Sequence, residues 1–293
     1  MPAAQLTPTG LDALPPPEMA NKAEQIGVSK AGMDAPTMFA LAVLAGAFIA
    51  MGAVFATTTT TGSTGMPYGV TRLLGGLTFS LGLILVVVAG AELFTGNNLI
   101  VMAWASRRVS TLHLLRNWAI VYAGNFVGAI ATAALLYAGK QYEFGGGAVG
   151  DQALAIAAAK TSLGWGQALV LGALCNALVC LAVWLCYSAR TTADKVLAII
   201  PPIAAFVAAG FEHSVANMYF IPYGLFLKSN EAFVSSQSGL PDLSDLTWGR
   251  FLGANLVPVT IGNIVGGALM VGAVYWFVYL RKRSAVTASG GAG

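Results

Sequence analysis

Charged side chains are scarce in this chain. Of its 293 residues, 9% are Asp, Glu, Lys or Arg, against about a quarter in a soluble domain. Hydrophobic residues make up 57%, which excludes an ordinary soluble protein and leaves little chain for a separate soluble domain. Histidine occurs only twice, as His113 and His213. The three cysteines, Cys175, Cys180 and Cys186, share one apolar run. No pair lies outside it, so neither a disulfide nor metal or redox chemistry is expected. There is no nucleotide-binding loop, no cluster with metal-ligand spacing and no nucleophile–base pair outside the apolar runs. An enzyme therefore has little to rest on, and no cofactor is expected. The net charge of +3 forms no nucleic-acid patch.

What the chain does have is long apolar runs. Six are long enough or nearly so for a bilayer, which needs about 20 residues. They run from about Thr37 to Thr58, from Leu73 to a break at Gly90–Asn98, from Leu114 to Ala138, from Trp165 to Tyr187, from Lys195 through a break at Gly210–Ser214 to Leu227, and from Leu252 to Leu280. An all-α, six-span, multi-pass membrane protein follows. Lys22, Lys30, Arg107, Arg108, Arg116, Arg190, Lys195, Arg281, Lys282 and Arg283 fall on one side, and Arg72, Lys140, Lys160, Lys228 and Arg250 on the other. The positive-inside rule makes the first side, with both termini, cytoplasmic. Residues 1–36 are too polar and Pro-rich for a cleavable signal. Within them Pro15-Pro16-Pro17 can open a short amphipathic helix carrying Met19, Ala20, Ala23 and Ile26 on one face. Such a helix would lie on the membrane surface or act as a mobile plug and conditional gate. The channel domain then covers 37–281, with a cytoplasmic tail at 282–293.

One octapeptide pattern occurs twice. Residues 90–97 read G-A-E-L-F-T-G-N and residues 210–217 read G-F-E-H-S-V-A-N. Both carry Gly, Glu two residues later and Asn five residues after the Glu, and both interrupt an apolar run. A second match links G-N-F-V-G-A at 124–129 with G-N-I-V-G-G-A at 262–268. The halves are thus about 37–140 and 160–281. Each holds three spans, an odd number, so the second lies inverted. Interrupted apolar segments in matched halves point to a transport site. Gly90 and Gly210 precede the breaks and are candidates for positive φ.

Ionisable groups at membrane depth are costly and usually functional. These are Glu92, Glu212 and His213. His213 sits at a break and titrates near neutral pH, whereas His113 starts a span as an interfacial residue. Glu92 and Glu212 are expected to accept hydrogen bonds from the N–H groups freed by each break, locking the loop. Asn176 needs a partner within the apolar fourth span; helix–helix pairing and fixing the His213 ring are both open to it. Thr95 supplies a hydroxyl in the first break. Lys160, before the fourth span on the external side, is placed to concentrate anions.

With these residues the chain resembles the formate channels of the formate/nitrite transporter family. The resemblance covers nearly the whole chain through F-S-L-G-L-I-L (79–85), G-A-E-L-F-T-G (90–96), N-A-L-V-C-L-A-V-W (176–184), G-F-E-H-S-V-A-N-M (210–218) and L-V-P-V-T-I-G-N-I-V-G-G (256–267). It implies an aquaporin-like fold in a bacterial inner membrane, assembled as a homopentamer with one pore per protomer. It implies passage of formate or related small monovalent anions. It also implies roles: His213 as the pore histidine, Thr95 as its partner, Asn176 contacting the ring, Lys160 in the vestibule and Asn263 as a polar pore residue. Phe79, Leu83, Phe94, Val179 and Phe206 become the apolar constrictions. The chain departs from the formate branch at Gly96, Asn97 and Asn98, where Ser-Thr-Val is more typical. The expected mechanism is bidirectional passage of formate, with a proton supplied at His213. The alternatives are a nitrite- or hydrosulfide-selective member, a neutral-solute channel of aquaporin type, and a membrane platform whose N-terminal segment docks a cytoplasmic formate-metabolising enzyme. The aquaporin Asn-Pro-Ala signature is absent from both breaks.

Overall fold

Lipid offers a backbone no hydrogen-bond partners, so a chain this apolar must satisfy its peptide groups internally. The computed structural model describes residues 13–281, and among them there is no strand. The expected C-terminal tail lies outside the described residues. In order come α1 (Pro16–Gly32), α2 (Ala35–Thr60), α3 (Tyr68–Ala89), a 3₁₀ turn (Gly96–Ile100), α4 (Val101–Ala105), α5 (Thr111–Ala138), α6 (Ala148–Thr161), α7 (Trp165–Ser188), α8 (Thr192–Ala208), α9 (Ser214–Lys228), α10 (Glu231–Ser236) and a final helix, Arg250–Tyr279. Two π-helical stretches, Arg250–Leu256 and Val265–Ala273, widen that last helix.

Among the described residues, five helices are long and apolar enough to cross a membrane: α2, α3, α5, α7 and the final helix. The apolar segment expected to cross as the fifth span is instead two shorter helices, α8 and α9, of 17 and 15 residues. Local chemistry sets these boundaries. Asp34 caps α2 by accepting from the Thr37 N–H at 3.0 Å, with Pro36 behind it. That hydrogen bonding holds the Asp34 carboxyl below the usual carboxylate range. Thr191 and Asp194 form a reciprocal capping box at the start of α8. α3 ends on Gly90 at φ 82°, and Gly210 closes α8 at φ 77°.

Small residues bring the helices into backbone contact. A Cβ on Gly46 of α2 would stand 2.8 Å from the Asn125 carbonyl carbon and 2.9 Å from the Ala129 nitrogen of α5. The final helix meets α7 in the same way, since a Cβ on Gly262 would stand 2.9 Å from the Ala173 nitrogen. The repeated G-N-x-V-G motif therefore marks the same kind of helix crossing twice.

α1 is packed along one face against the rest of the molecule instead of lying free on the membrane surface. Met19, Ala20, Ala23, Gly27 and Ala31 are buried. The Leu14 N–H donates to the Ser188 carbonyl at 3.4 Å, and Ser188 Oγ donates back to the Leu14 carbonyl at 3.0 Å. Lys22 Nζ reaches the Tyr187 carbonyl at 2.9 Å. Lys30 Nζ sits 2.6 Å from Glu92 Oε1 inside the first break. The correction has a simple cause: small residues on one face let α1 approach closely, and its lysine neutralises a buried carboxylate.

Three substitutions test these contacts. Gly46→Ala has no room for its methyl and loses the assembled protein on size-exclusion chromatography. Gly90→Ala meets nothing within 4 Å and bears only left-handed strain of about 1–2 kcal/mol, so it assembles with a lowered thermal midpoint. Lys30→Met strands Glu92 and destabilises by about 3 kcal/mol, the lower end for a broken buried pair. Adding Glu92→Gln recovers most of that loss in the same unfolding assay.

Candidate functional site

Each break leaves peptide groups without helical partners, and an asparagine from a neighbouring helix takes them up. At the first break, Asn125 Oδ1 accepts from the Phe94 N–H at 2.9 Å, while its amide donates to the Ala42 and Glu92 carbonyls at 2.7 and 2.9 Å. At the second, Asn263 Oδ1 accepts from the Ser214 N–H at 2.9 Å, and its amide donates to the Gly172 and Glu212 carbonyls at 2.8 and 3.0 Å. The Glu92 N–H donates to the Leu41 carbonyl at 3.2 Å, and the Glu212 N–H to that of Leu171 at 3.3 Å.

A second arrangement is also duplicated. Lys160 Nζ lies 2.7 Å from Glu212 Oε1. Asn217 Nδ2 donates to Glu212 Oε2 at 2.6 Å and to Asn255 Oδ1 at 2.8 Å, and Asn255 Nδ2 returns to the Lys160 carbonyl at 2.9 Å. Lys30, Glu92, Asn97 and Asn117 repeat each link at 2.6, 2.7, 3.0 and 3.1 Å. From sequence the two glutamates are expected to accept from the freed backbone N–H groups; each is instead held by a lysine and an asparagine. The lysine supplies the buried carboxylate with a counter-charge, and freed backbone N–H groups fall to Asn125 and Asn263.

His213 stands between these supports. Its Nδ1 accepts from the Ala216 N–H at 3.1 Å, capping α9. A neutral ring held this way carries its proton on Nε2, which lies 3.0 Å from Thr95 Oγ1. The two breaks meet at this contact. The His213 ring stacks on Phe206 with centroids 6.0 Å apart, and Phe206 packs edge-on against Phe79 at 5.7 Å. These three rings belong to the wall of a cavity of about 520 Å³ that Arg72, Lys160, Glu212 and Phe220 also line. His213, only 2% exposed, is part of the cavity wall.

Several expected residues sit elsewhere. Asn176 does not hold the ring. It donates to the Thr95 and Asn263 carbonyls at 3.3 and 2.7 Å and to Asn98 Oδ1 at 3.2 Å, joining one break to the brace of the other. The ring's orientation comes from its own capping bond. Asn263 is fully buried with its amide spent on backbone, and so braces the loop instead of lining a pore. Lys160 is ion-paired with its side chain 16% exposed, and is not a free cation. Phe79, Leu83, Phe94, Val179 and Phe206 all belong to the buried core, and of these Phe79 and Phe206 also line the cavity. Phe94 packs edge-on against Tyr122 at 4.9 Å. Asn97 and Asn98, where the chain departs from the formate branch, are both buried in these networks. Sequence reasoning missed Lys30, Asn117, Asn125 and Asn255. A signal existed for three of them, because eight residues separate Asn117 from Asn125 and Asn255 from Asn263 in otherwise apolar helices.

Comparison with known proteins extends this picture. The family model "Formate/nitrite transporter" matches residues 17–277. Formate channel FocA of Escherichia coli (strain K12) is 46% identical over 274 residues, covering 92% of this chain and 96% of that protein. Formate channel FocA of Haemophilus influenzae is 45% identical, covering 89% and 93%. A solved structure described as a pentameric formate channel with formate bound superposes with a TM-score of 0.79 at 47% identity, covering 84% of this chain and 98% of that one. Match and coverage together settle kinship: the chain belongs to the formate/nitrite transporter family.

Proposed function

We propose that this protein is a formate channel. Formate is the solute named for the FocA relatives and for the solved pentameric channel, and the carrying observation within the chain is His213, which lines a largely apolar cavity and contacts Thr95. A bare carboxylate entering such a place must find a hydrogen-bond donor or a proton. Thr95 Oγ–H and His213 Nε2–H are the donors available there. To protonate formate, the ring first takes up a proton from the bulk at Nδ1, releasing the Ala216 N–H, then hands its Nε2 proton to formate and returns to the neutral form. Formate passes Phe79 and Phe206 as the neutral acid and gives the proton back to the bulk on the other side, in either direction. Nitrite and hydrosulfide remain outcomes for a selectivity assay.

The proposed architecture has six spans, with α8 and α9 together making the fifth, arranged as two inverted repeats. Supporting it are the paired asparagine braces and the paired Lys–Glu–Asn–Asn circuits, whose partners match link for link. Since Lys30 of α1 answers Lys160 of α6, the repeats begin at these helices, earlier than the sequence boundaries of about 37 and 160. The ten-to-five division of Lys and Arg, fifteen in all, supports cytoplasmic termini in the inner membrane. A homopentamer fits the apolar side chains exposed on one protomer, among them Leu135 at 73% and Leu197 at 69%, which either lipid or a neighbouring copy would cover. Any docking of a formate-metabolising enzyme would engage the N-terminal segment, whose first twelve residues lie outside the described ones.

Formate flux into proteoliposomes, with and without a pH gradient, tests the proposal. Wild-type protein is expected to carry formate faster on the acidic-outside gradient, and absence of formate flux would refute it. His213→Phe is expected to lower flux by about 10- to 100-fold, the equivalent of a lost hydrogen bond to a charged partner worth about 1.5–3 kcal/mol. Light scattering should show the oligomer retained. Full flux in a correctly assembled variant would remove His213 from the pathway.

A further inference from the structure

Arg72 was not singled out by any sequence motif, yet it has the most consequential position on the cavity wall. It projects from α3 to the C-terminal end of α8. There its Nε donates to the Ala208 carbonyl at 3.3 Å and its Nη2 to the Val207 carbonyl. These carbonyls end a helix, so they carry the negative pole of the α8 dipole and hold the guanidinium by charge as well as by geometry. The same side chain faces the cavity.

The charge balance around the cavity decides what Arg72 does. Its titratable lining groups are Tyr68, Arg72, Lys160, Glu212 and His213. Lys160 and Glu212 cancel as an ion pair at 2.7 Å, and His213 is read above as neutral. Arg72 forms none of the ion pairs among the described residues, which are Lys30–Glu92, Arg108–Glu24, Lys140–Glu143, Lys160–Glu212 and Arg250–Asp245. The cavity therefore carries a net positive charge located on Arg72. The guanidinium has five N–H donors. Two are used on the carbonyls, so both Nη1 protons and one Nη2 proton remain. That end of the fork matches the two oxygens of a carboxylate.

We propose that Arg72 is the anion-capturing residue of this cavity, binding an incoming small carboxylate through its free Nη edge before the carboxylate moves on to His213 and Thr95. The assignment rests on the channel reading above and moves the capturing role from Lys160, whose charge is already balanced. Arg72 and His213 line the same cavity but are held by different groups, so the two make separable contributions. Capture governs flux when solute is scarce, whereas the histidine governs flux at every concentration.

The test is formate flux through Arg72→Gln in proteoliposomes, measured from low to saturating formate at two salt concentrations. Glutamine keeps an amide donor for the α8 carbonyls but carries no charge. The half-saturating formate concentration is expected to rise about tenfold, as for loss of a charge-assisted hydrogen bond, with maximal flux preserved. The gap should narrow at high salt as the arginine's field is screened. An unchanged half-saturation, or a fall in maximal flux alone, would overturn the proposal and leave Arg72 as a brace for α8. Should Arg72→Gln fail to assemble, Arg72→Lys replaces it. Lysine keeps the charge and loses the fork, so a smaller rise is expected, and no rise would overturn the proposal. If wild-type protein carries no formate, the channel reading falls; if wild type carries formate and the variants match it, only the role of Arg72 falls.

Discussion

The structure depends on keeping two interrupted stretches of backbone satisfied where water is excluded. A helix passing through lipid closes its own hydrogen bonds, and a break opens them again at a cost of several kcal/mol for each group left alone. Asn125 and Asn263 meet that cost. Each spends one acceptor and two donors on peptide groups of a break and of the helix beside it. A carboxamide offers an acceptor and two donors together without bringing a charge into the apolar interior. With the breaks held open in this way, Thr95 and His213 can face each other across the middle of the molecule.

Charge is handled by the same economy. The two buried glutamates are each matched to one lysine and to a pair of asparagines, so neither half carries an unbalanced ion in its core. Buried ion pairs replaced by well-packed apolar residues often leave a protein equally or more stable. What the circuits add is attachment, since each ties a short helix, α1 or α6, to the break it flanks. An uncharged centre between two balanced circuits also leaves the field in the cavity to be set by the remaining charged group on its wall.

Much of this was legible in the chain. The paucity of charge and the apolar runs specify a helical membrane protein, and the repeated G-x-E and G-N-x-V-G motifs locate both breaks and both close helix crossings. Gly90 and Gly210 were readable as left-handed caps because nothing but glycine takes that backbone cheaply. What could not be read was pairing across distance. Lys30 lies 62 residues before its glutamate and Lys160 lies 52 before its own, so no common spacing reveals the relationship. Lys160 reads as a free external cation until its partner is placed beside it. Asn176 reads as a ligand of the ring because polarity within a span calls for some partner, and sequence cannot say which. α1 reads as a surface helix because its buried face is made of alanine and glycine, which carry little apolar signal.

The equal interval between the two asparagines on α5 and on the final helix has a bearing on how such chains can vary in length. Eight residues of helix cover about 12 Å, so each of these helices works as a gauge with one mark on a Lys–Glu circuit and the other on a break. Inserting a single residue between the marks would swing one of them by about 100° and disengage it. Loops outside the gauges, such as the segment between α10 and the final helix, face no such restriction. Insertions and deletions among related proteins should therefore collect in the connecting segments and spare the intervals 117–125 and 255–263.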